Sequence, residues 1–305
     1  MRFCLAILFV FSICMVQSCK KDPAEFYTNN EAPYYDKIPS VKIRNYVNRL
    51  FIDLIGREPL DAEMTMETNL LLASNADLTS REAVVNKLIS DSTFRDGDTS
   101  YTHAYFRRLY ELNKIRFIEG LSEAELSMHA SIFRNNAISD SLGNNTPGYE
   151  QNMAMYLQMV DVIESSWKLR RGIIDMQKVF EIMLLNDIYD IVNMNSFNFV
   201  NAAFNDLYFR FPTQSEFYTA YGMVEDNTSG SLFGQTGQTK ADFVRIMANS
   251  NECLQGAIIW SYSTLLARNP SSQELNDELN KYGVDKDFQA MQKRIVVSNE
   301  YTNFE

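Results

Sequence analysis

From Val41 onward, apolar residues recur at helical rather than strand spacing. Val47, Leu50, Phe51, Leu54 and Ile55 follow the i, i+3, i+4, i+7, i+8 rhythm of an amphipathic helix. The rhythm returns at Val200, Ala203, Phe204, Leu207 and Tyr208, and again at Ile258, Tyr262, Leu265 and Leu266, where Ser261 takes the second slot. Each stripe runs into Arg-x-Pro-x-x-x-Glu: Arg57, Pro59 and Glu63; Arg210, Pro212 and Glu216; Arg268, Pro270 and Glu274. Each copy closes with another helix and a similar tail, LISDSTF to Phe94, IMANSNEC to Cys253 and IVVSNEY to Tyr301. No segment alternates as a strand would. The pattern predicts an all-α fold with three copies of a helix–Pro turn–helix unit around a central helical region.

Peptide chemistry accounts for the repeated motif. An arginine in the last turn of a helix faces the orphan carbonyls and the negative dipole end. Proline two residues later cannot continue the helix and biases its predecessor away from helical angles. Thr213 with Glu216, and Ser271 with Glu274, then have capping-box spacing for the next helix. In the first copy Leu60 holds that slot, so Asp61 is expected to cap one residue later. The motif reads as a stop-turn-start signal, with each Arg expected beside its own downstream Glu. Leu50, Leu54, Leu207 and Leu265 are expected in the core.

The boundaries that follow are 41–96 for the first repeat, 97–198 for the central region and 199–305 for repeats two and three. In the centre, YTHAYFRRLYELNKIRF is one helix and Ser122 with Glu125 caps another. Ile173, Met176, Phe180, Met183 and Leu184 keep helical spacing, and Asn144-Asn145-Thr146-Pro147-Gly148 is the strongest break. The stretch SGSLFGQTG from Ser229 to Gly237 follows no strand and is read as a flexible loop.

Ahead of the helices, Arg2 supplies a positive start and residues 3–16 form an apolar run too short for a permanent span. Val16-Gln17-Ser18-Cys19 then resembles the lipobox of bacterial lipoproteins. A non-lipidated signal would more usually end in an A-x-A-like site. The resemblance implies a signal peptide over 1–18, lipid attachment at Cys19, and anchoring in the outer membrane. Lys20 stands where the best-known sorting rule uses Asp for inner-membrane retention; the periplasmic and cell-surface faces stay open. Residues 19–40, rich in Pro, Asn and charge, read as a flexible tether.

Composition narrows the partners. The chain has 305 residues, 46% hydrophobic and 22% charged, which suits one large or two modest domains. Its net charge is −11, and removal of a signal whose only charge is Arg2 makes the mature portion one unit more negative. That balance disfavours nucleic acid, which needs clustered Lys and Arg. It also disfavours anionic head groups, leaving the lipid as the membrane attachment. Cys253 is the one cysteine beyond Cys19, so no internal disulfide is expected, and it reads as packed and inert.

No catalytic constellation stands out. His103 and His129 are too few for a histidine metal cluster, and no G-x-S-x-G, P-loop or G-x-G-x-x-G occurs. Neither a metal nor a cofactor is expected. Glu123 with Glu125, and Asp187 with Asp190, have the type needed for glycosidase acid–base work, but 39 acidic residues produce such pairs by chance. Trp167 and Trp260 fall in helices and read as core or half-buried anchors. Asp91-Ser92-Thr93 and Asp140-Ser141-Leu142 resemble acceptor motifs of bacterial O-glycosylation.

FIDLIGREPLDAEM resembles a D-L-x-G-x-x-P domain of unknown function found in large exported bacterial proteins beside cytochrome-like modules. It is equally similar to the D-L-L-G-R-E-P repeat domain of exported proteins. ADFVRIMANSNEC is similar to the tail of phycobilisome linker domains. These resemblances imply helical, non-catalytic assembly modules and transfer no catalytic residue. No C-x-x-C-H haem site is present. The expected function is a lipid-anchored envelope protein that binds or scaffolds an envelope protein partner; the alternative is an envelope hydrolase acting on glycan or peptidoglycan through a carboxylate pair.

Overall fold

A computed structural model describes residues 37–94 and 99–304. Cys19, the apolar run and the tether as far as residue 36 lie outside the described residues. Among the described residues there are fifteen α-helices, one π turn and one two-stranded hairpin, so the fold is all-α.

The chain enters at Ile38, whose N–H donates to Asn75 Oδ1 at 2.9 Å. Helix α1 (Ser40–Leu50) starts directly behind Pro39, so the folded part begins slightly before the expected tether boundary. It ends in a single π turn, Phe51–Ile55, closed by Gly56 at φ 83°. The wider turn and the left-handed glycine stop the helix where the sequence places Arg57 and Pro59. Helices α2 (Asp61–Ala73) and α3 (Leu78–Ser90) follow.

The central region holds α4 (Tyr101–Ile118), α5 (Glu123–Leu142), α6 (Thr146–Arg170), α7 (Met176–Leu184) and α8 (Asp187–Asn193). Helices α5 and α6 form a long antiparallel hairpin broken at Asn144, with Asn145 capping α6. Ile173 falls in the turn before α7 and is 60% exposed, so the helical spacing begins only at Met176.

The last third contains α9 (Ser196–Tyr208), α10 (Gln214–Val224), α11 (Lys240–Ala248), α12 (Asn251–Leu266), α13 (Ser272–Asp285), α14 (Phe288–Val296) and α15 (Asn299–Thr302). Between α10 and α11 the expected flexible loop is instead a β-hairpin, β1 (Gly230–Leu232) with β2 (Gln235–Gly237), in antiparallel register. Phe233 and Gly234 turn it with φ of 50° and 76°. Two consecutive left-handed residues match the twist of a two-residue hairpin, a local signal too short to show as alternation.

Side-chain caps set most helix starts. Ser100 Oγ accepts from the His103 N–H, Ser250 Oγ from Cys253 and Ser298 Oγ from Tyr301, at 3.0–3.2 Å. Helices α5, α10 and α13 begin with full capping boxes. Residues from Ile38 onward form one unit, and one hydrophobic cluster runs through all three sequence segments. Leu50, Leu54, Leu207 and Leu265 belong to it, each at most 2% exposed. Helix α15 and the turn before it close on α1 and α3. Arg49 Nη1 donates to the Tyr301 carbonyl at 3.0 Å, and Arg81 Nη1 to that of Val297 at 2.7 Å.

Candidate functional site

The three Arg-x-Pro-x-x-x-Glu segments have the same local geometry. Each Arg stands one residue past a left-handed residue: Gly56, Phe209 or Ala267. The arginines therefore lie just outside their helices rather than in the last turn. Each Nη1 donates instead to the carbonyl of the next residue, Glu58, Phe211 or Asn269, at 2.9–3.1 Å. The guanidinium then makes a two-pronged bond to its own glutamate: Arg57 to Glu63 at 2.8 and 2.9 Å, Arg210 to Glu216 at 2.9 and 2.8 Å, Arg268 to Glu274 at 2.9 and 2.6 Å. One oxygen of the same carboxylate accepts the N–H at the start of the next helix, from Leu60, Thr213 or Ser271.

Leu60 thus occupies the N-cap position, with Asp61 the first helical residue. The expected cap at Asp61 does not form. Arg57 fixes Glu63 where its carboxylate already satisfies the Leu60 N–H, so only the glutamate half of the box is made.

Two further partners complete each turn. The ring six residues before the Arg lies under its guanidinium, Phe51 at 5.6 Å, Phe204 at 5.2 Å and Tyr262 at 5.4 Å. A further group reaches each pair, from the copy's own tail in the second and third turns and from the start of α4 in the first. Glu252 binds Arg210, Glu300 binds Arg268 at 2.6 and 2.5 Å, and the Tyr101 hydroxyl donates to Glu63 at 2.7 Å. The first tail has Thr93 where the others carry glutamate, and a tyrosine serves in its place.

These bonds move the carboxyls. Arg210 and Arg268 bring Glu216 and Glu274 down to about 2, against burial. Burial pushes Glu63 up, but Arg57, Tyr101 and the Leu60 N–H outweigh it and leave it at about 2. The folded values lie below the ordinary 4.5, so their stabilisation is complete above pH 4.5 and is lost as pH falls toward 2. Arg210→Ala is therefore expected to cost about 1 kcal/mol at pH 7, as partly exposed pairs do. In urea unfolding, the gap between wild type and variant should shrink across pH 4.5 to 2. A constant gap would mean the pair contributes nothing through charge.

Each turn has its own outer partner: Tyr101 joins the first, Glu252 the second and Glu300 the third. Two clefts lie beside them. One of about 610 Å³ is lined by Gly56, Arg57, His103, Arg107 and Arg108, with Phe94 on its wall. The other, about 440 Å³, lies between the tip of the β-hairpin and the start of α12 and carries Gln235, Asn251, Glu252 and Gln255 with Phe233.

The remaining candidates are accounted for by packing. Cys253 is buried and its thiol is pushed up to about 12, so it is a protonated core residue. Glu125 closes the box on Ser122, and Glu123 binds Lys114 at 2.9 Å. Asp190 pairs with Lys240, while burial first, and then Asp190, raise the carboxyl of Asp187. Trp260 stacks on Phe288 at 5.9 Å, whereas Trp167 is 36% exposed. Among the described residues, no group of three or more His, Cys, Asp or Glu is placed to hold a metal, and no helix is long and apolar enough to cross a membrane.

The sequence reading missed a surface patch of four rings, two exposed and two half-buried. Phe197 at the start of α9 is 58% exposed and meets Phe217 of α10 at 4.9 Å. Phe217 stacks on Tyr221 at 5.8 Å and touches Tyr218, itself 65% exposed. Met194, just before α9, is 78% exposed. The signal was present in the aromatic run SEFYTAY, but period alone does not distinguish an exposed aromatic face from a core one.

No family model, curated protein or solved structure matches this chain.

Proposed function

We propose that this protein is a non-catalytic, lipid-anchored envelope protein whose helical body binds another envelope protein. The observation that carries the reading is the exposed pair Phe197 and Tyr218, set on the half-buried rings of Phe217 and Tyr221. Exposed aromatic groups of this kind mark interaction sites, because rigid rings bury large area at low entropic cost. The Arg210–Glu216 bonds tie α9 to α10, the two helices that carry the patch. Cys19, through the lipobox, would supply the membrane attachment.

The hydrolase reading has one observation in its favour, the raised carboxyl of Asp187 beside Asp190. Both sit in the first turn of the seven-residue α8, and Asp190 is already paired.

Labelled palmitate should enter the wild type and not Cys19→Ala. Affinity purification from detergent-solubilised membranes should recover a partner, with at least about tenfold less recovered by a Phe197→Ser, Tyr218→Ser variant. Equal palmitate labelling would remove the anchor. Undiminished recovery, or glycan turnover abolished by Asp187→Asn, would overturn the binding role.

A further inference from the structure

Helix α5 is apolar on two opposite faces, and among the described residues only one of them is covered. Leu126, Ala130 and Ala137 are its buried residues, on the side that packs against α6. On the other side Met128, Ile132, Ile138 and Leu142 are 54%, 47%, 46% and 80% exposed. At about 100° per residue these four fall within an arc of about 120°. The same arc holds Ser131, Asn135 and Ser139, and no Asp, Glu, Lys or Arg, in a chain that is 22% charged. The Ser131 hydroxyl donates to the Ser127 carbonyl of its own helix at 2.8 Å. An uncharged apolar stripe along the outside of a helical hairpin is a packing surface.

The spacing identifies what packs there. Met128 and Leu142 lie at equal distances before and after Asn135, and so do Ile132 and Ile138. An isologous interface pairs residues that are symmetric about its two-fold axis. We propose that α5 pairs antiparallel with α5 of a second copy, with the axis at Asn135. Met128 then meets Leu142 of the other copy, Ile132 meets Ile138, and Asn135 meets itself. Met128, Asn135 and Leu142 are also heptad-spaced, so Asn135 is the polar residue at a seam position that fixes register. A carboxamide both donates and accepts, so two copies satisfy one another. A parallel pair would also bring Asn135 to itself, but would set Met128 on Met128 and leave the mirror-image spacing without a role. This surface is separate from the aromatic patch of α9 and α10, so the two proposals stand or fall independently.

Cysteine cross-linking in the full chain in membranes tests the pairing, because a disulfide requires Cα atoms within about 7 Å. Under a mild oxidant, Asn135→Cys should give a covalent dimer on non-reducing gels, beyond any formed by the wild type. Asn136→Cys, about 100° around the helix, should not. Ile132→Cys alone should stay monomeric but cross-link when co-expressed with differently tagged Ile138→Cys. Adding Ile138→Asp to Asn135→Cys should abolish the dimer while the far-ultraviolet dichroism stays helical. Cross-linking of Ile132→Cys to itself would show a parallel pair and overturn the proposal. So would equal yields at 135 and 136, a dimer that survives Ile138→Asp, or Asn135→Cys captured only by a different protein.

Discussion

Gly256→Ala is expected to cost about 3 kcal/mol, at the upper end for overpacking, and to lower the melting temperature by about 6–12 °C in a protein of this size. Gly256 lies inside α12, where that helix crosses α9. A Cβ there would overlap the Leu207 carbonyl oxygen and stand 2.9 Å from its carbon. These are backbone atoms and cannot swing aside. The two helices would have to separate, disturbing Leu207 and Tyr208 beneath the second Arg–Pro–Glu turn. Gly283→Ala is the matched control. It lies within α13, and its Cβ would touch only Leu279 Cδ1 at 3.9 Å, so the change should add about 0.5–1 kcal/mol. Thermal melts followed by dichroism at the helical minimum would compare the two. Equal behaviour would show that α9 and α12 do not approach as closely as described.

Gly256 also shows where sequence reading stopped. Period identified α12 and its apolar stripe, because side-chain spacing depends on one helix at a time. A glycine in mid-helix is costly in isolation, and the reason for it lies on the helix opposite. The turns were legible for the same local reason: Arg, Pro, the cap and Glu act within seven residues. Their outer partners were not. Glu252 and Glu300 come from tails some thirty to forty residues away.

The Asp of the resembling D-L segment is a further case. Asp53 and Asp206 hold equivalent places in copies one and two, and each accepts a tyrosine hydroxyl at 2.7 Å, from Tyr301 and Tyr189. Burial raises both carboxyls despite those bonds. Each aspartate joins its copy to a distant segment, a role that spacing within the motif does not reveal. The outer face of α5 is the opposite case. Its symmetry is plain in the sequence, but becomes informative only once the inner face is seen to be occupied.

Arg116 is expected to show how α4 is joined to α7, α9 and α12. Its guanidinium carbon lies 4.9 Å from the Phe117 ring centroid, 5.3 Å from Phe180, 5.1 Å from Phe209 and 5.0 Å from Trp260. Those rings come from α4, α7, the residue closing α9, and α12. Its Nη2 donates to the Asp206 carbonyl, while Nη1 is buried with no hydrogen-bond partner among the described residues. Burial pulls the group down to about 10, which still leaves it a cation at neutral pH. Arg116→Ala should cost about 3–5 kcal/mol, from the cavity and the lost stacking. The informative comparison is between two larger replacements. Lysine keeps the charge but concentrates it on a strongly hydrated ammonium with three donors, and Asp206 offers one carbonyl. Methionine fills the space without burying charge, and such exchanges are often neutral. Urea unfolding should therefore rank wild type and Arg116→Met above Arg116→Lys, with Lys close to Ala. If lysine restores more stability than methionine, charge rather than the shape of the cage holds these four segments together.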